Sequence, residues 1–429
     1  VFSPMAAPLS TGYPVIGPVA ASIGLFGTGV AQARLAMISY MFLLVCVFYL
    51  FAKKRYGFLP ALLSTLFLLS FAPFYGNGRP VQGEVPGLFY MMLGAWLMLL
   101  WEERNFKTRY LALLSGVSFG LSAATKPIYL FGLGGAFVVA LIFWFKKIQP
   151  KKNIFIFVGG WILPLLIQIA IQFPTLASLK TIIPTYLHLA SNHGSSSVST
   201  FQTIIHNGLK FFTESTPLLF FLMLVTILIS YPIITTKFFT KAKRAVSLAE
   251  FVIIAFIILN IISYLPGTGW YRYFFPANLL VYVLFPAAFL FIASHIKKPV
   301  FKKVALAISV LLLIFQCIHM IFLSDTALTV KRTRNAEFAN VLSGVKPSEH
   351  VLFYNSPEAI VFLNGTNYSQ YLAMEDFLVA GDKNVLENPA YNLIIMSNDP
   401  NNPEFSSPCY EKKVVSRYYV FTKLESCEK

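Results

Sequence analysis

Aspartate is missing from the first 324 residues of this chain, and only five glutamates occur there. Charged residues make up 12% of all 429, about half the share usual in soluble domains. A chain so poor in charge cannot clothe a soluble core in polar surface, which excludes an ordinary soluble enzyme. Four cysteines are too few for a disulfide-built scaffold. No GxSxG, Walker loop, HExxH or dinucleotide fingerprint stands in useful context, so nucleotide chemistry is unsupported. GLGGA at Gly132 to Ala136 lies inside an apolar run, where small residues serve helix packing. No internal repeat is visible either, which disfavours transporter folds built from inverted halves.

What the chain has instead is hydrophobic residues, 56% of the total, with 42 Phe and 21 Tyr. Aromatic rings in such numbers suit lipid contact and the two membrane interfaces. About 20 apolar residues cross a hydrocarbon core of roughly 30 Å as a helix. Spans are expected at 33–52, 58–74, 85–101, 110–125, 127–145, 153–173, 216–235, 247–265, 275–294 and 303–323. The fold class expected is an α-helical polytopic membrane protein of about ten transmembrane helices with a small C-terminal extracytoplasmic α/β domain.

The net charge of +16 invites a nucleic-acid reading, but its distribution opposes one. From Asp325 onward the chain is net acidic, and the whole excess lies before it. There, 18 Lys and Arg fall in alternate inter-span segments around 53–55, 104–109, 146–152, 237–244 and 297–303. The other segments hold five, Arg79, Lys126, Lys180, Lys210 and Arg272, with Arg34 at a span edge. Basic segments stay in the cytoplasm. The N-terminal segment, the loops around 75–84, 174–215 and 266–274, and the tail are therefore expected outside. No nucleic-acid partner is expected; the bilayer is.

Three regions follow: 1–32 as part of a first extracytoplasmic loop broken by Pro4, Pro8, Pro14 and Pro18, 33–323 as the membrane domain, and 324–429 as the exported α/β domain. Short β-like runs mark the last at Val351 to Tyr354, Asn392 to Met396 and Tyr418 to Thr422. Cys409 and Cys427 share that exported tail, where a disulfide is chemically permitted, while Cys46 and Cys317 fall within spans and read as packing residues. The chain starts at Val1, on what reads as an extracytoplasmic loop, and a preceding span outside this sequence is expected.

Few charged residues remain at the expected outer face, so each carries weight. Glu84, in GRPVQGEVPGLF, stands where the chain re-enters the membrane beside Arg79. It reads either as a solvated loop acid or as a substrate or metal ligand. Glu214 reads as an acid complementing the N-terminal dipole of the next span. Arg272 stands in GTGWYRYFFPAN among Trp270, Tyr271 and Tyr273. Aromatic anchoring explains the rings but not the guanidinium, which can hold a phosphate bidentately. Lys126, in AATKPIYL, is either a snorkelling lysine or a second phosphate cation. His188, His193 and His206 lie in the long loop without metal-ligand spacing; a divalent cation held by Glu84 and His193 is a secondary reading. GSSSVST at Gly194 to Thr200 reads as a flexible stretch able to close over substrate.

In order along the chain, PLSTGYPVIGPVAASIGLFG with ARLAMISYMFLLVCVFYLFAKKRYG, then GRPVQGEVPGLFYMMLGAWLML, LSGVSFGLSAATKP and WYRYFFPA resemble the GT-C polytopic glycosyltransferases. The likeness is to the clan of protein O-mannosyltransferases, bacterial aminoarabinose transferases and RgtA-like lipopolysaccharide sugar transferases. It covers roughly 8–145 and 266–290. The resemblance implies inverting transfer of a sugar from a polyprenyl-phosphate carrier to an acceptor hydroxyl (glycolipid, glycan or protein) on the outer side of a bacterial inner membrane. It implies that Glu84 orients the acceptor or a metal, and that Arg272, Lys126 and Arg79, with Tyr273 beside them, bind the carrier phosphate. The family's general-base Asp in the first outer loop has no counterpart here and would stand upstream of Val1. Two other classes compete. A transporter or flippase of lipid-linked sugars would carry ionisable residues deep in several spans, and a non-catalytic relative would bind through its tail.

Overall fold

A computed structural model describes residues 11–145 except 28, 151–173, 180, 199–238, 247–324 except 268, 270 and 296–298, and, in the tail, 336, 339–354, 356, 359–360, 363, 367–371, 385–387, 390–398, 404–415 and 418–427. The chain divides into two compact units, one formed by Leu9–Val19 with Arg34–Ala327, the other containing Leu328–Lys429.

In the first unit every expected span is helical. The helices are α1 (Tyr13–Phe26), α2 (Val30–Tyr56), α3 (Phe58–Leu69), α4 (Ala72–Gly78), α5 (Glu84–Glu103), α6 (Arg109–Thr125), α7 (Leu130–Phe145), α8 (Lys151–Gln172), α9 (Thr200–Thr213), α10 (Ser215–Phe238), α11 (Leu248–Tyr264), α12 (Tyr271–His295) and α13 (Pro299–Ile318). Among the described residues five of these are long and apolar enough to cross a membrane, or seven if two bent pairs each count as one span. That is fewer than the ten read from hydropathy, because α6, α7 and α11 are shorter. The chain is an integral membrane protein.

Local chemistry sets the breaks. Gly57, at φ +89°, ends α2 after Lys53, Lys54 and Arg55 and lets α3 start at once. The expected span 58–74 is not one helix: α3 and α4 meet at 62°, with Pro73 in the first turn of α4. Two expected loops also contain helix. α1 forms despite Pro14 and Pro18, the former standing in the first turn where a proline costs no hydrogen bond. α9 occupies the end of the long loop and meets α10 at 83°.

The tightest packing is α6 on α8. A Cβ on Gly116 would lie 2.2 Å from the Phe157 carbonyl oxygen and one on Gly120 2.4 Å from that of Trp161. The two glycines form a GxxxG face that lets the backbones approach. At the end of α5 away from Glu84, three helix ends are tied together. Ser247 caps α11 in a reciprocal capping box with Glu250. Glu102 accepts from Ser247 Oγ at 2.6 Å, and Glu250 accepts from Arg55 at 2.8 Å. Lys54 and Glu103 pair nearby at 3.0 Å.

The C-terminal unit holds a mixed sheet of order β2-β1-β3-β5-β4, where β1 is Val351–Tyr354, β2 Tyr368–Tyr371, β3 Leu393–Ser397, β4 Tyr410–Val415 and β5 Tyr418–Lys423. β1 pairs in parallel with β2 and β3, while β5 runs antiparallel to β3 and β4. Alternate residues serve two cores: Val351, Phe353 and Ile395 pack on one face, Leu352, Ile394 and Met396 on the other. Burial on both faces is why these strands read as continuous apolar runs. β2 and β4 carry Ser, Gln, Glu and Lys at the sheet edges, and hydrophobicity did not announce them. Cys409 and Cys427 are disulfide-bonded, 5.6 Å apart at Cα. The bond clamps the ends of the β4–β5 hairpin across a separation of 18 residues. Replacing both cysteines by serine is expected to cost the tail about 3 kcal/mol. Limited proteolysis of the full-length protein should then show new cuts confined to residues beyond 400, and an unchanged digest would refute the expectation.

Candidate active site at one membrane face

Glu84 opens α5, with Gly83 as N-cap. Its carboxylate suits the positive end of the helix dipole, yet Glu84 is fully buried. A buried carboxylate needs a partner, and α6 supplies it. Pro127 disfavours helical backbone at the residue before it. Lys126 is accordingly extended at φ −159°, ψ 138°, and ends α6. There its ammonium forms an ion pair with Glu84 Oε1. Pro127 then starts a single 3-10 turn, Pro127–Tyr129. That turn brings the Tyr129 hydroxyl onto the Glu84 carbonyl, to which it donates.

The approach of α5 to α6 depends on absent side chains. A Cβ on Gly87 would lie 2.2 Å from the Tyr129 ring, and one on Gly83 2.8 Å from the Thr125 carbonyl oxygen. Ser122 Oγ donates to the Gly87 carbonyl at 2.7 Å, fixing the register.

α12 adds the second cation. It begins at Tyr271, four residues before the expected span, so Arg272 and Tyr273 stand in its first turn and not in a loop. Arg272 Nη2 donates to the Tyr273 hydroxyl at 3.1 Å. The Tyr273 ring centroid lies 5.0 Å from the Arg272 guanidinium carbon and 5.5 Å from Lys126 Nζ, so one aromatic ring is within cation–π reach of both cations. Asn260 of α11 holds the Tyr273 carbonyl at 3.1 Å. Lys126 stands between two spans, and burial pushes its ammonium below the usual lysine range; Glu84 opposes that shift and the Arg272 charge adds to it.

The structure thus gathers Glu84, Lys126, Tyr273 and Arg272, four residues singled out in the sequence, into one constellation with one negative and two positive charges. Glu84 Oε2 is buried and has no hydrogen-bond partner among the described residues. Arg79 is placed otherwise: it follows α4, its Nε donates to the Tyr75 carbonyl at 3.2 Å, and its charge acts on Arg34. Glu214 sits at the exposed junction of α9 and α10, directly before the first turn of α10, where an acid complements the dipole. His188, His193 and the 194–198 stretch lie outside the described residues. Among the described residues no three of His, Cys, Asp and Glu come together. Lys126 occupies Glu84 Oε1, and His193, the other residue expected on a divalent cation, lies outside the described residues.

The sequence reading passed over Tyr129, Gly83, Gly87 and Asn260. Only Tyr129 had a local signal, the Lys-Pro dipeptide that turns the chain three residues before it. The N-terminal segment also reaches the site. Gly12 N–H donates to the Thr125 carbonyl at 2.9 Å, and Tyr13 N–H donates to Gln168 Oε1 at 3.1 Å. Beside them a cavity of about 220 Å³ is lined by Ala124, Thr125, Pro127, Leu165 and Gln168.

The fold, apolar helices carrying this charged cluster together with a small mixed sheet, is that of the GT-C membrane glycosyltransferases. Among solved structures, the chain is similar to the aminoarabinose transferase ArnT of Cupriavidus metallidurans bound to undecaprenyl phosphate, with 12% identity and a TM-score of 0.60 over 98% of this chain and 89% of that one. The apo state of the same protein gives 0.57 over the same shares, again at 12% identity. The oligosaccharyltransferase of Archaeoglobus fulgidus, in complex with Zn and sulfate, gives 0.51 at 12% identity over 91% of this chain, which spans 60% of its length. At such identity the likeness is one of fold. No family model matches the sequence, and no curated protein does.

Proposed function

We propose that the protein is a membrane glycosyltransferase that moves a sugar from a polyprenyl-phosphate carrier to an acceptor hydroxyl, with inversion, at the membrane face holding Glu84, Lys126 and Arg272. The observation that carries this reading is the buried Glu84–Lys126 pair set against Arg272 and Tyr273. A sugar phosphodiester carries one negative charge, and the constellation carries one net positive charge to meet it. The fold shared with a protein bound to undecaprenyl phosphate supports the same assignment.

In the reaction the acceptor oxygen attacks the anomeric carbon and the bond from that carbon to the phosphate oxygen breaks. The bonding pair stays on the phosphate, whose charge grows, and the acceptor proton passes to a base. Lys126 and Arg272 stabilise the growing charge in a site of low dielectric. Glu84 keeps Lys126 in place, and its second oxygen is available to an acceptor or sugar hydroxyl. The resemblance to GT-C enzymes would place that base in the first outer loop, whose residues 1–32 contain no acid in this sequence; residue 12 of that segment bonds Thr125, the neighbour of Lys126. The face is taken to be extracytoplasmic from the basic segments at the opposite helix ends.

Arg272→Ala tests the phosphate role. Transfer from a polyprenyl-phosphate sugar by the full-length protein in liposomes should fall by about 100-fold, with Arg272→Lys recovering part of it. Unchanged turnover would sink the assignment.

A further inference from the structure

We propose that α9 is an in-plane interfacial helix, inserted in the lipid leaflet at the site's own membrane face, which sets the segment preceding Arg272 at a fixed height on the bilayer. The assignment of that segment to carrier phosphate rests on the function proposed above; the placement of α9 does not.

Phe201, Ile204, Ile205, Leu209 and Phe212 are exposed. They recur at helical spacing and form one apolar stripe. The flank beside Ile204 is turned to protein: Asn207 and Phe211 are buried, and Phe211 packs on Phe220, Tyr264 and Phe274. A helix whose apolar stripe is exposed while the flank beside it docks is amphipathic toward something beyond the described protein. Its direction identifies that partner. α9 meets α10 at 83°, so where α10 crosses the bilayer α9 runs along its surface. The stripe also continues onto the outer flank of α10, since the exposed Phe212 ring lies 5.2 Å from that of Phe221, next to the exposed Leu222. Lipid that covers α10 therefore covers the stripe, and interfacial helices bury such faces among headgroups and upper acyl chains.

The docked face clamps the turn that precedes α12. The last carbonyls of α11 lack intrahelical donors. Asn207 Nδ2 donates to the carbonyls of Leu265 and Gly267 at 3.0 and 2.9 Å, and Lys210 Nζ donates to that of Gly269 at 3.2 Å. Gly269 has φ +68°, and a Cβ there would lie 2.2 Å from Asn207 Oδ1, so helix and turn fit without a spare atom. Arg272 follows three residues later. A carrier phosphate sits at headgroup height, and a helix seated at that height holds its binding segment there. Asn207 is thus a positioning residue.

The test uses full-length protein with Cys46→Ser and Cys317→Ser, carrying single cysteines at 201, 205, 209 or 212, or at 203 or 206 on the polar side, labelled with an environment-sensitive fluorophore. Liposomes contain lipids spin-labelled at shallow or deep acyl positions. Labels at 201, 205, 209 and 212 are expected to be quenched by the shallow lipid at one common depth, and those at 203 and 206 not. A steady change of depth from 201 to 212 would overturn the proposal in favour of a broken span, since 11 residues of such a helix cover about 16 Å. Absence of quenching along the stripe would overturn it in favour of a protein cover, whether a second copy or another segment. For the clamp, Asn207→Ala should leave the depths unchanged and raise KM for the lipid donor several-fold with little loss of kcat. An equal loss in both, or none, would overturn the positioning role. A wild-type protein without transfer activity would defeat the function proposed above while leaving the depth result standing.

Discussion

Lys126→Ala is expected to abolish measurable sugar transfer and to destabilise the protein at the same time. Two effects are superposed. The carrier phosphate loses a cation, and the fully buried Glu84 is left without its partner, which costs about 3 to 5 kcal/mol when a buried pair is broken from one side. Glu84→Gln separates them. In the double variant the uncompensated carboxylate is gone, so thermal stability should return to near the wild-type value while transfer stays lost by more than about 100-fold. The double-mutant cycle should give a coupling above about 1 kcal/mol in stability, because the two side chains touch. If the double variant recovered transfer as well as stability, Lys126 would be only the counter-ion of Glu84 and its phosphate role would fall.

The pair shows what the sequence made legible. Glu84, Lys126, Arg272 and Tyr273 were recognisable because an ionisable or aromatic residue at a membrane boundary needs a reason, and charges there are few. Their mutual contact was not legible, since it depends on Gly83 and Gly87 admitting Lys126, Thr125 and Tyr129, and small residues leave no mark in hydropathy. Positions of the long apolar helices came from length and composition alone. The elements missed are those whose residues face two environments. α9 mixes apolar and polar residues at a period that averages to a loop, and α1 contains two prolines, Pro14 in the first turn, where one is tolerated, and Pro18 inside the helix. The bend at Pro73 hides within a run that is apolar throughout. In the tail, β1, β3 and β5 were visible as buried runs, while the edge strands β2 and β4 were not.

Gly116→Val should destabilise the protein about as much as breaking the buried Glu84–Lys126 pair, though it touches no charge. The atom a side chain would meet is the Phe157 carbonyl oxygen, 2.2 Å from a Cβ placed there, and the Phe157 carbonyl carbon and Trp161 nitrogen follow at 3.1 Å. These are backbone atoms of α8 and cannot rotate away as a long side chain would. Relief requires α6 to withdraw from α8 as a body. α6 carries Lys126 at its end and bonds α5 through Ser115 and Ser122, at 2.9 and 2.7 Å to the carbonyls of Gly94 and Gly87. A shift of α6 therefore breaks either the α8 contact or the register that pairs Lys126 with Glu84. Overpacking of this kind, against backbone atoms, costs about 3 kcal/mol, enough to lower the folded yield in detergent. Gly159→Val is the matched control: a Cβ there meets nothing within 4 Å, so its yield and melting temperature should stay close to wild type. Gly116→Ala should fall between, since one methyl meets the same carbonyl without the β-branch. Equal melting temperatures for Gly116→Val and Gly159→Val would contradict the close crossing of α6 and α8, and with it the support that holds Lys126 against Glu84.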